Sequence, residues 1–163
     1  MGHRTEIHDK VLNAKSLEDI SEAYGSWAKT YDQDLLENFG YQAPARSVEL
    51  LSKYLPMEEA VVLDAGCGTG LVGQLLAKAR KFQIDGADYS QSMLDEAQAK
   101  GYYRALQQVD LNQPPQIAAD TYDAVICIGI FTLGICNPKP YRRCCVLQNL
   151  VGGSASPSGT SSG

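Results

Sequence analysis

Three aspartates in this chain, Asp64, Asp88 and Asp110, each close an apolar run that reads as a β-strand. The first opens directly onto a glycine-studded turn, Asp64-Ala65-Gly66-Cys67-Gly68-Thr69-Gly70. Glycines let a backbone turn tightly and lie close to a ligand, and carboxylates accept hydrogen bonds from hydroxyl and amino groups while attracting positive charge. The spacing is Asp-x-Gly-x-Gly-x-Gly, not the Gly-x-Gly-x-x-Gly that carries a dinucleotide's pyrophosphate on a helix N-terminus. Asp64 at the end of the strand would repel a phosphate and can attract an ammonium or other cationic ligand. A chance Gly-x-Gly-x-Gly in a surface loop is the competing reading, weakened by the strand before it and the helical pattern after it.

The elements that must hold these residues follow from periodicity. Val61 to Leu63 form an apolar strand, and Leu71-Val72-Gly73-Gln74-Leu75-Leu76-Ala77-Lys78 continues as a helix. Phe82 to Asp88 is a second strand, with Asp88 about 20 residues beyond the loop, where a carboxylate can take both ribose hydroxyls. Asp88 could instead cap the next helix, a task for which Ser90 competes. Tyr102 to Val109 is a third strand candidate closed by Asp110 and Leu111, with a plain turn aspartate as the alternative. Tyr122 to Ile130 is the fourth, a nearly unbroken apolar run as befits a buried parallel strand. Ligands of open α/β sheets bind outside the carboxyl ends of the strands, where all three acids fall.

Upstream, Ser16 can cap a helix with acids in its first turn, and Leu17, Ile20, Tyr24 and Trp27 recur at helical spacing. The stretch from Tyr24 to Asp34, rich in aromatic rings, suits either a lid over a ligand or core packing. A second helix runs from Ala43 to Leu55, with Val48, Leu51 and Leu55 on one face and Pro56 ending it.

Composition narrows the function classes. With 163 residues, 44% of them hydrophobic, the chain has the length of one domain. A net charge of -5 and a pI near 5.0 argue against binding nucleic acid by bulk charge, though a local patch stays open. No apolar run reaches the roughly 20 residues a membrane span needs, and the N-terminus is no secretory signal. The expected setting is cytoplasmic, with the nucleus also open. Of the five cysteines, Cys67 sits in the loop, Cys127 in a strand, and Cys136, Cys144 and Cys145 late in the chain. They form no paired framework or zinc spacing, so reduced thiols with no disulfide partner and no metal are expected. His3 and His8 read as solvated.

The run Gly86-Ala87-Asp88-Tyr89-Ser90-Gln91-Ser92-Met93-Leu94-Asp95-Glu96-Ala97 matches a Gly-x-Asp-x-Ser-x-x-Met-Leu-x-x-Ala pattern. Together with the Asp64–Gly70 loop and Trp27-Ala28-Lys29-Thr30-Tyr31-Asp32, it resembles the class I S-adenosylmethionine-dependent methyltransferases over about Tyr24 to Leu133. The resemblance implies a Rossmann-like α/β fold, a parallel sheet in three α/β/α layers, with sheet order third, second, first, fourth. It implies S-adenosylmethionine as cofactor and an unidentified methyl acceptor. Asp64, Ala65, Gly66, Cys67, Gly68 and Gly70 would form the loop under the cofactor. Asp88 would hold the ribose, Tyr89 and Met93 the adenine face, and Asp110 the adenine amine beside the Leu111 backbone. Tyr31, and the strand end around Ile128 and Gly129, would face the methionine part. Methyl transfer from a sulfonium needs proximity and alignment more than covalent catalysis, so no catalytic base is assigned.

The C-terminal part departs from that family. A fifth strand and a reversed edge hairpin would normally follow the fourth strand, but residues 131–163 hold Pro138, Pro140, paired cysteines and a Gly/Ser-rich end. Three segments are therefore expected: a helical lid over 1–56, an incomplete cofactor-binding core over 57–135 and an atypical tail over 136–163. The expected fold is truncated after about the fourth strand, whose open edge invites self-association. Weak cofactor binding with little or no transfer is expected, either from a shortened enzyme or from a non-catalytic isoform serving as an interaction module. Asn137-Pro138-Lys139-Pro140-Tyr141 faintly resembles an Asn-Pro-Pro-Tyr box, but Lys139 interrupts it and a turn is the better reading.

Overall fold

The structure is a computed structural model that describes residues 9–10, 13–33, 42–55, 57–111, 113 and 121–128. Its first helix, α1 (Leu17–Gln33), opens on a reciprocal cap. The Asp19 amide donates to Ser16 Oγ at 3.1 Å and the Ser16 amide donates to Asp19 Oδ2 at 3.1 Å, so both orphan donors are used. Ala23, Trp27 and Ala28 bury its inner face, while the side chain of Leu17 lies outside the described residues. Helix α2 (Ala43–Tyr54) starts with Pro44 in its first turn, where the missing N–H has no intrahelical partner to lose.

The sheet then builds by alternation of strand and helix: β1 (Val61–Ala65), α3 (Leu71–Ala79), β2 (Gln83–Asp88), α4 (Gln91–Lys100), β3 (Ala105–Gln108) and β4 (Ala124–Ile126). All pairings are parallel and the order is β3-β2-β1-β4, the order expected from the sequence. In the register, Asp64 lies between Gly86 of β2 and Ile126 of β4. After β3 the chain returns across the sheet to lay β4 beside β1, so the strand order reverses at the carboxyl end of β1. That is where an open α/β sheet leaves a crevice.

Alternation gives the sheet two apolar faces. Val62, Ile84, Ala124 and Ile126 meet Val48 and Leu51 of α2 and Val72 and Leu76 of α3. Leu51 and Leu76 are almost wholly buried, a burial of about 1.5–3 kcal/mol each. Helix α2, assigned with the N-terminal segment by sequence, thus packs into the main core. On the other face Leu63, Ala65, Ala87, Val125 and Cys127 form a second cluster with Leu111, Val109 and Tyr122. No residue of the tail 136–163 is described, nor are His3, His8, Asp34, Pro56, Gly129 or Ile130. The expected edge of the fourth strand beyond Ile128, the proline-containing Asn137–Tyr141 segment and Cys136, Cys144 and Cys145 lie outside the described residues.

Candidate cofactor site

The turn after β1 passes through three left-handed residues, Gly66 (φ 75°), Gly68 (φ 52°) and Gly70 (φ 87°). An L side chain at any of them would be strained by roughly 1–2 kcal/mol, which is why the sequence spaces glycines there. Backbone bonds clamp the turn to the end of β2: the Gly66 and Cys67 amides both donate to the Ala87 carbonyl, at 2.7 and 3.1 Å. The Gly68 amide donates to Asp88 Oδ2 at 2.9 Å. A methyl group built on Gly68 would meet nothing within 4 Å, so the backbone here faces open space.

That space is a cavity with four sides. Gly66 and Gly68 form its floor, Asp88, Tyr89, Ser90 and Met93 one wall, and Val109, Asp110 and Leu111 the rim after β3. Helix α1 closes it with Ile20, Ser21, Tyr24 and Tyr31. Two carboxylates line it and, among the described residues, no Lys, Arg or His does, so this lining favours hydroxyl and amino donors or a cation over a phosphate.

Of the residues expected at the site, Tyr31, Gly66, Gly68, Asp88, Tyr89, Met93, Asp110 and Leu111 are brought together on this cavity. Asp88 both lines the cavity and serves the local fold, because its Oδ1 also accepts the amide of Ser90, the N-cap residue of α4, at 2.9 Å. Burial pushes the Asp88 carboxyl up, and the amides of Ser90 and Gly68 oppose that. Neither residue's side chain is seen to cap the helix: Ser90 holds the N-cap position without a side-chain cap bond, and Asp88 binds the amide of Ser90 itself.

Asp64, Ala65, Cys67, Gly70 and Ile128 are not on the cavity lining. Ala65 and Ile128 are core residues of the two sheet faces. Gly70 is the left-handed N-cap of α3. Cys67 is buried with its thiol pushed up by burial and by the nearby charges of Asp64 and Asp88. Asp64 is 1% exposed and turned toward α3. Its Oδ2 accepts the Tyr103 hydroxyl at 2.7 Å, and its Oδ1 is buried with no hydrogen-bond partner among the described residues. Burial pushes its carboxyl up to about 7, against the Tyr103 bond and with the charge of Asp88.

The aromatic segment serves both purposes weighed for it. Trp27 is buried, packing edge-on to Tyr31 (4.8 Å between centroids) and stacked with Tyr24 at 6.3 Å, while both tyrosines line the cavity. Polar ties hold α1 in place: Asp32 accepts the Thr69 hydroxyl and pairs with Lys100, and Tyr89 donates to Glu18 at 3.0 Å. Gly25 lets α1 approach α4, since a Cβ there would lie 2.6 Å from Ser92 Oγ. Sequence reasoning missed Ile20, Ser21, Ser90 and Val109 as cavity residues and offered Tyr24 only within the lid alternative. Ile20 lies on the helical stripe that leads through Tyr24 toward Tyr31, a signal that could have found it.

Comparison with known proteins agrees with this geometry. The profile of the family described as "Methyltransferase domain" matches residues 62–145. Human "Methyltransferase-like protein 27" is 36% identical over 147 residues, covering 85% of this chain and 60% of that protein. The Dictyostelium discoideum protein named "Probable 18S rRNA (guanine-N(7))-methyltransferase" is 34% identical over 94 residues, covering 58% of this chain and 32% of that protein. The chain therefore spans less than two thirds of either relative. A Methanococcus maripaludis structure proposed as an S-adenosyl-L-methionine-dependent methyltransferase superposes with a TM-score of 0.56. At 21% identity, covering 66% of this chain and 51% of that one, it shows a shared fold. With strand order, glycine turn and family profile in agreement, the chain belongs to the methyltransferase-domain family.

Proposed function

We propose that this chain binds S-adenosylmethionine in the cavity between the glycine turn, Asp88, Asp110 and α1, as part of an S-adenosylmethionine-dependent methyltransferase. The observation that carries the reading is the lining: two carboxylates and an open left-handed glycine backbone, with no cationic side chain among the described residues to receive a phosphate. A ligand bearing ribose hydroxyls, an amino group and a sulfonium fits that donor set, and a dinucleotide does not. Asp88 would accept the ribose hydroxyls with the lone pairs that the Ser90 and Gly68 amides leave free. Tyr89 and Met93 would flank the adenine, and Asp110 would accept its amine. Bound S-adenosylmethionine supplies a methyl group already activated on sulfur. The part left to these residues is to hold the ligand, exclude water with Tyr24 and Tyr31, and fix its orientation toward an acceptor.

Calorimetric titration with S-adenosylmethionine, S-adenosylhomocysteine and NAD tests this directly. Binding of the first two with no NAD binding is expected; selective NAD binding would overturn the reading. A parallel radiolabelled transfer screen against small-molecule, protein and RNA acceptors separates enzyme from binding module. Binding without transfer to any of them favours the module.

A further inference from the structure

Tyr103 stands in the loop between α4 and β3, and its ring occupies a seat made by three glycines of three different elements. A Cβ added to Gly70 of the turn, Gly73 of α3 or Gly86 of β2 would lie 2.9, 2.3 or 3.0 Å from that ring. Its hydroxyl accepts the Gly73 amide at 3.1 Å and donates to Asp64 Oδ2 at 2.7 Å. Gly73 is the third residue of α3, one of the amides that a helix start leaves without an intrahelical partner. The N-cap of α3, Gly70, has no side chain to satisfy it. Tyr103 thus caps the helix from outside, and because its hydroxyl has only one proton, accepting from Gly73 commits that proton to Asp64.

From this arrangement we infer that Tyr103 is a positioning residue for the cofactor site, locking the turn from Asp64 to Gly73 in its ligand-binding shape and favouring the ionised form of Asp64 through the hydroxyl it donates to Oδ2. The inference rests on the cofactor reading above. One hydroxyl ties the end of β1 to the start of α3, and the turn between them has no other side-chain bond reaching both ends among the described residues. Asp64 lines no part of the cavity, so its charge acts across the turn. The titratable groups facing it are Tyr103, Asp88 and Cys67. Burial and the charge of Asp64 push the Tyr103 phenol up, so it stays a donor throughout the accessible pH range.

The test uses the full chain, Tyr103→Phe and Asp64→Asn, with S-adenosylhomocysteine as probe in calorimetric titrations from pH 5.5 to 8. Thermal melts confirm that each variant folds. The wild type is expected to bind more tightly as pH rises through the Asp64 titration. Tyr103→Phe is expected to bind about three- to tenfold more weakly at pH 7, because the turn loses both hydrogen bonds of that hydroxyl, with its pH midpoint moved upward. Asp64→Asn, alone or with Tyr103→Phe, is expected to show no such midpoint. A folded Tyr103→Phe with wild-type affinity and pH profile overturns the inference while leaving the cofactor reading intact. A wild type that binds no probe at any pH overturns the cofactor reading and this inference with it. Amide exchange of the wild type alone gives a second measure: Gly73 should be far better protected than Leu71 and Val72, and equal rates for all three would also overturn it.

Discussion

The ends of β1 and β2 make an instructive pair. Each strand carries an aspartate at or next to its carboxyl end, the two strands are adjacent and parallel, and both carboxyls are pushed up by burial. Asp88 opens onto the cavity with two backbone amides on its oxygens, whereas Asp64 faces the helix side of the sheet with a tyrosine on one oxygen and nothing on the other. Acids near the carboxyl ends of adjacent strands thus have different surroundings: Asp88 faces the cavity, while Asp64 is tied to Tyr103 away from it.

The largest expected effect breaks the open end. Asp88→Ala removes the proposed acceptor for both ribose hydroxyls and the clamp on the Gly68 amide, so affinity for S-adenosylhomocysteine should fall roughly 100-fold or more in calorimetry. A loss of less than about fivefold in a folded variant would place the ribose elsewhere. The buried end answers to pH instead. In the fold Asp64 titrates at about 7, far above the usual carboxyl value of about 3.9, so the folded state binds this proton more tightly than the unfolded chain. Stability from the protonated form is complete at acid pH and is lost as pH rises toward about 7. Relative to Asp64→Asn, the wild type should therefore lose melting temperature between pH 4.5 and pH 8; a constant difference would contradict the burial argument. The smallest effect concerns Cys67, three residues on. Its buried, neutral thiol should resist iodoacetamide at pH 8 in peptide mapping, and Cys67→Ala should change probe affinity by no more than about twofold. Rapid alkylation would mean that the turn opens.

The same contrast marks what the sequence could tell. Strand, turn and helix were legible because glycine spacing and apolar runs are local, and sheet order followed from the connection rules. Asp88 was legible too, by its distance from the turn. Which way Asp64 points was not: β1 is buried on both faces, so Val61-Val62-Leu63 carries no polar alternation to mark them. Tyr103 was invisible because its partners, Asp64 and Gly73, lie 39 and 30 residues away. It was assigned to a third strand beginning at Tyr102, whereas β3 starts at Ala105 and the tyrosine ring turns inward instead. The helical segment expected over 1–56 includes α2, whose Val48 and Leu51 pack into the core, a long-range contact that no local spacing marks.

Helix α1 supplies one wall of the cavity but is joined to the rest through Asp32, Glu18 and a glycine contact, in addition to its buried aromatic face. Occupancy and helix attachment are therefore two sides of one equilibrium. A ligand that touches Tyr24 and Tyr31 strengthens the docking of α1, and any partner or substitution that favours the docked helix strengthens the ligand by the same factor. Residence time, as well as affinity, would then be set by a helix that contributes none of the three acids.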